Sequence, residues 1–219
     1  MPSLSLKPTL AVLALTAAVA ALPVVGGESA GAYPQPSIYP VSWEFDFEYD
    51  LPERLVVDVP GVGRRAYWYV TYEVTNNTDR ERPFLPSWEL MTRDAEVLQA
   101  GYGVPAGVFG AIKDAERDPL LLDDLTISES PLLLGEDQAR RGVAIWPEPM
   151  AEMGQFDIFV GGLSGETATV EVDGQTFKND DGLPVLLFKT KQLTFRQYGD
   201  DRNPGNDLLE QVDERWVMR

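Results

Sequence analysis

The chain has 219 residues, with 18 Lys and Arg against 35 Asp and Glu, a net charge of −17, no His and no Cys. That balance excludes a nucleic-acid binder, which needs Lys and Arg gathered on one face, and argues against anionic membrane surfaces. Lacking His, the chain has no Ser-His-Asp or Cys-His nucleophile and no His-ligated zinc or copper; lacking Cys, it has neither disulfides nor a lipidated cysteine.

The first segment reads as a secretory signal. Lys7 supplies the positive start, Leu10 to Leu22 is apolar apart from Thr16, and Ala30-Gly31-Ala32 fits the small-x-small cleavage rule. The apolar run is shorter than the roughly 20 residues that span a bilayer, and Pro23 stops it. We expect 1–32 to be removed, with no membrane insertion afterwards, and the product to be exported to the periplasm or the exterior. The removed piece carries one Lys and one Glu, so the charge is unchanged. The rest reads as an extended leader over 33–41, with prolines at 34, 36 and 40, followed by a single domain over 42–219.

Within that domain, Ser42 to Asp50 alternates. Trp43, Phe45, Phe47 and Tyr49 point one way, and Glu44, Asp46, Glu48 and Asp50 the other. Four acids on one strand face look like a cation site. Same-face neighbours sit about 7 Å apart, too far for one ion to bind them all, so the spacing favours a solvated face. Leu55 to Val59 is a short strand, turned by Pro60-Gly61-Val62-Gly63 into Ala66 to Asn77, the stretch densest in β-branched and aromatic residues. Its apolar face holds Trp68, Val70, Tyr72 and Val74; its mixed face holds Tyr67, Tyr69, Thr71, Glu73 and Thr75. Asn76-Asn77-Thr78 matches a glycosylation sequon but reads as the turn chemistry that ends this strand.

Phe84 to Thr92 follows, and Pro83 and Pro86 predict an edge or bulged strand. Arg93 to Glu96 makes a tight connection into Val97-Leu98. An insertion over about 105–130 opens with a predicted helix, Pro105 to Asp118, striped by Val108, Phe109 and Ile112. Leu120 to Leu122 and Leu132 to Leu134 are expected to pack it onto the core. Strands resume at Arg140 to Trp146, Phe156 to Val160 (ending at Gly161-Gly162) and Thr167 to Val172, with Asp173-Gly174 turning a hairpin into Gln175 to Lys178. Leu183 to Arg196 is one long strand or two joined at a bend, and Arg215 to Met218 is placed to close the sheet. Many short strands with little helix and no βαβ alternation predict an all-β fold, an antiparallel β-sandwich with a short helical insertion.

The order AYWYVTYEVTNNT, FLPSWELMTRDAEV, LLLGEDQARRGVAIWP and FDIFVGGLSG resembles the immunoglobulin-like domains of bacterial exported proteins. The matching positions in the third block are Gly135, Glu136, Gly142, Val143, Ala144, Trp146 and Pro147, with Ile145 between the last alanine and the tryptophan. The resemblance covers about Tyr67 to Leu163. It implies an immunoglobulin-like sandwich and a binding or structural role, and it brings no catalytic residues with it. The Pro105 to Ser130 insertion and the long C-terminal part depart from the pattern.

Carboxylates are the remaining reactive groups. A pair of them can hydrolyse a glycosidic bond when held at about 5 or about 6.5–9.5 Å, separations that sequence spacing does not reveal. The best cation candidate is the loop 200–207, where Asp201, Asn203 and Asp207 offer oxygens at odd spacing, with Asp180 and Asp181 able to join from a second loop. It is no EF-hand, because the glycine expected at position six is Asn206. Ordinary polar turns account for both loops as well. No cofactor is expected unless those loops hold calcium. The leading expectation is thus an exported, non-catalytic structural or protein-interaction module, with a calcium-dependent polysaccharide-binding module and a carboxylate glycosidase as alternatives. The partner expected is a protein or a polysaccharide.

Overall fold

The computed structural model describes residues 33–61, 63–116, 122–124, 131–150, 153–172, 174–199 and 208–219. The signal reading of 1–32 lies outside these. In chain order the strands are β1 (Asp46–Tyr49), β2 (Glu53–Val59), β3 (Gly63–Thr75), β4 (Ser87–Thr92) and β5 (Val97–Gln99). After the helix α1 (Ala106–Ala115) come β6 (Leu122–Asp124), β7 (Arg140–Pro147), β8 (Gln155–Gly161) and β9 (Thr167–Thr169). β10 (Glu171–Val172), β11 (Gln175–Thr176), β12 (Leu186–Gln197) and β13 (Leu209–Met218) complete the set.

Two sheets form a sandwich. In the first, β3 is central. β1 and β2 run one after the other along one edge and β7 pairs with the other, while short β6 runs parallel outside β7. In the second, the order is β13-β12-β8-β4-β5, with β9 also paired to β12. A separate hairpin joins β10 and β11, as Asp173-Gly174 predicts. The core is what alternation dictates. Trp68, Val70, Tyr72 and Val74 of β3 meet Trp88, Leu90, Ile158, Val160, Leu193 and Phe195 of the second sheet, all buried. Trp88 and Trp146 meet edge to face at 6.2 Å. Phe45, Phe47 and Tyr49 pack inward as their phase requires, while Asp46, Glu48 and Asp50 are exposed.

The all-β sandwich with one short helix is therefore observed, and four local expectations change. The prolines at 83 and 86 do not make β4 an edge. They precede the strand, and β4 lies between β8 and the short edge strand β5. The mixed face of β3 is no open wall: Tyr67 and Tyr69, with Val143 and Ile145 of β7, are covered by Val108 and Ile112 of α1 in a second apolar cluster. Of the leucines at 132–134, only Leu132 is core; Leu133 and Leu134 are exposed. The C-terminal strand starts earlier than Arg215 and runs antiparallel to β12 from Leu209 to Met218. No helix among the described residues is long and apolar enough to cross a membrane.

Candidate functional site

Where β8 ends, the second sheet loses a strand from its plane. Gly162 turns the chain at φ 83°, a backbone position closed to most side chains, and a Cβ there would also sit 2.4 Å from the Leu85 carbonyl. Residues 163–165 cross to the first layer. The Phe45 N–H donates to the Leu163 carbonyl at 2.9 Å, and the Gly165 N–H to the Trp43 carbonyl at 3.0 Å. Gly165 has no room for a side chain, since a Cβ would lie 2.2 Å from Trp43 Nε1. The chain then returns to β12 as β9, with Thr167 opposite Phe188. On the opposite bank, β4 begins only at Ser87, opposite Gly161. A groove of about 700 Å³ results on the outer face of the second sheet, within the size range of ligand sites.

Its walls are mainly apolar. Trp43, Phe159, Phe188, Pro83 and Leu85 line it, and Phe188 and Leu85 are 52% and 75% exposed. Ser87, Thr167 and Thr190 also line it. One ion pair crosses it: Arg219 lies 4.0 Å over the Phe159 ring and meets Glu89 at 2.6 Å. That stacked arginine covers Phe159 and leaves Phe188 and Leu85 as the open apolar contacts.

On the inner side of β12, one residue from Thr190, sits a buried cation. Lys189 is 2% exposed. Its Nζ reaches Glu44 at 2.5 Å and Glu166 at 3.0 Å, donates to the Ser37 carbonyl at 3.2 Å, and lies 5.1 Å from the Trp216 ring. Glu166 in turn accepts the Ser37 N–H at 2.8 Å. Burial pulls the Lys189 pKa down, but the two glutamates pull harder, and the net shift is upward. Burial raises Glu166, but the Ser37 N–H and Lys189 outweigh it and hold its carboxyl below the usual value. This cluster ties the leader to the domain, so the leader is part of the fold rather than a loose tether.

Of the sequence-predicted cation ligands, only Asp180 and Asp181 fall among the described residues. Asp201, Asn203 and Asp207 lie outside the described residues. Asp180 and Asp181 sit in an exposed turn in which Asn179 Oδ1 accepts the N–H groups of Asp181 and Leu183. No group of three acidic residues placed to hold a metal occurs among the described residues. The acids of 44–50 have separate tasks: Glu44 meets Lys189, Asp46 accepts from Asn77 and Asp50 accepts from Thr71. The sequon asparagine, Asn76, is fully buried and donates to the carbonyls of Arg80 and Leu132, so it ends the strand and is closed to a glycan.

Sequence reasoning did not single out Glu166, Lys189 or Arg219. For Lys189 a signal existed: in Leu187 to Phe195, the phase that holds Leu193 and Phe195 also holds Lys189, which puts a charge on the core face. Chemically, the groove offers apolar contact and hydroxyls. Among the described residues, the one carboxylate lining it is Glu89, where glycoside cleavage needs two. Comparison of the chain with protein-family models, with curated proteins and with solved structures found no match.

Proposed function

We propose that the chain is an exported, non-catalytic interaction module of immunoglobulin-like type, and that the groove is its contact surface. The observation that supports this is the preformed apolar groove, with Phe188 of β12 and Leu85, just before β4, held open to solvent. Export and the immunoglobulin-like reading rest on the sequence. The lone, paired Glu89 gives the glycosidase reading little support at this site. The test is a photo-crosslinking side chain placed at Leu85, at Phe188 or, as a control, at Val56 on β2, in the protein expressed in its own cells. Discrete adducts from 85 and 188 and none from 56 are expected. Equal labelling from all three positions overturns the reading. So does hydrolysis of a polysaccharide panel that disappears in Glu89→Gln.

A further inference from the structure

From the hydrogen-bond phase of β9 we infer that the groove takes an extended, apolar, neutral-to-basic peptide segment of another protein, which adds as a strand to the open edge of β9. The inference rests on the groove being a contact surface. In an antiparallel ladder, paired residues alternate between those that bond each other and those whose N–H and C=O point the other way. The Lys189 N–H donates to the Glu166 carbonyl at 3.0 Å and the Val170 N–H to the Val185 carbonyl at 3.3 Å. Residues 166, 168 and 170 therefore face β12. Phe188 agrees with this phase, since it exchanges both its backbone bonds with Arg219 on the far side of β12. The backbone groups of Thr167 and Thr169 must point away from β12.

On that side β9 has no strand neighbour among the described residues. Among the described residues it pairs with β12 alone, and neither Thr167 nor Thr169 has another backbone partner. No described strand fills the lane beyond β4, which starts at Ser87, after Pro83 and Pro86. The edge thus offers two N–H and two C=O groups, those of Thr167 in the wall of the groove and those of Thr169 next along the same edge. A peptide pairing there gains main-chain bonds, and its alternate side chains fall toward the apolar contacts of Phe188 and Leu85. Charge selects the occupant. At −17 the chain repels a second copy of itself; within the groove Arg219 is neutralised by Glu89, and after the open edge Glu171, Asp180 and Asp181 follow in sequence against Lys178.

The experiment selects a phage-displayed library of random ten-residue peptides on the whole protein and measures the recovered peptides, fluorescein-labelled, by anisotropy. Recovered sequences should alternate apolar residues and carry Lys or Arg. Methylating the peptide backbone nitrogens in one alternate phase should weaken binding by about tenfold or more, and in the other phase should not. Thr169→Pro removes one outward N–H and no β12 bond, and should weaken binding similarly, whereas Thr169→Val should not. If Thr169→Pro fails to fold, the methylated peptides decide the matter. If Phe188→Ser abolishes binding while neither methylation phase has an effect, the groove stands as a contact surface and strand addition falls. If neither change matters, both fall. An acidic consensus, an empty selection, or binding of an oligosaccharide panel in place of peptides also overturns the inference.

Discussion

Lys189 is the side chain on which most of the local energetics converge. Its charge is balanced by Glu44 and Glu166 with almost no solvent access. Lys189→Met leaves Glu166 buried without a counter-charge, a loss of about 3–5 kcal/mol, and the thermal midpoint should fall by roughly 10 °C or more. Replacing all three by apolar residues of similar volume should recover much of that loss, because such triads are sustained mainly by mutual need. An unchanged midpoint in Lys189→Met would show that the three charges do not depend on one another. The same groups set the response to pH. The Glu166 carboxyl is held below its ordinary 4.5, so its contribution is complete above that value and disappears as pH falls through the lower folded value. The Lys189 shift is upward, so its contribution is complete below its ordinary 10.5 and is lost as pH climbs through the raised folded value. Midpoints recorded against pH should fall at both ends, and Lys189→Met should flatten both limbs. The residues of this cluster were poorly legible in the sequence for a physical reason. Glu44 reads as one of four outward acids, and only the crossing of residues 163–165 to the first layer lets Glu44 and Glu166 meet on Lys189.

At the scale of elements, α1 and the crossing segment carry the consequences. The helix covers the outer face of β3 through Val108 and Ile112, both fully buried. Ile112→Ala should cost about 2–5 kcal/mol, read as a lower denaturation midpoint at unchanged slope. The stripe that predicts this helix was legible, because apolar residues at helical spacing need a surface to cover. The surface itself was not. Tyr67 and Tyr69 look amphipathic in a strand, and nothing local says that a distant helix lies over them. The crossing segment shows the same limit. Gly161-Gly162 reads as a strand end, which is true of β8, but the return as β9 depends on Trp43 and Phe45 more than a hundred residues earlier. Gly165→Ala places a Cβ against the Trp43 indole and the Ser42 hydroxyl, and should cost about 1–3 kcal/mol. A midpoint equal to wild type would mean that Trp43 can move aside. Alternation was most reliable where the two faces differ sharply. It places Trp43, Phe45, Phe47 and Tyr49 correctly and holds in β4, where Trp88, Leu90 and Thr92 alternate inward; what fails there is the edge expected from the two prolines, which merely precede the strand.

For the whole molecule, the excess of acids acts as a distributed repulsion. With 35 acids against 18 cations, added sodium chloride should raise the thermal midpoint by screening, steeply at first and little once the Debye length falls to a few ångströms. A midpoint that falls with salt would show that the paired charges outweigh the unpaired ones. The order of assembly also follows from the topology. β12 is the hub of the second sheet, bonded to β13, β8 and β9, yet it lies late in the chain, and the crossing at 163–165 bonds to residues near its beginning. Contacts between distant positions form slowly, because the intervening loop must be closed first. A ribosome will therefore have released nearly all of this polypeptide before its second layer can exist. Until then, the inward aromatic face of the first sheet, Trp68, Tyr72 and their neighbours, has no opposite layer to close it off from water.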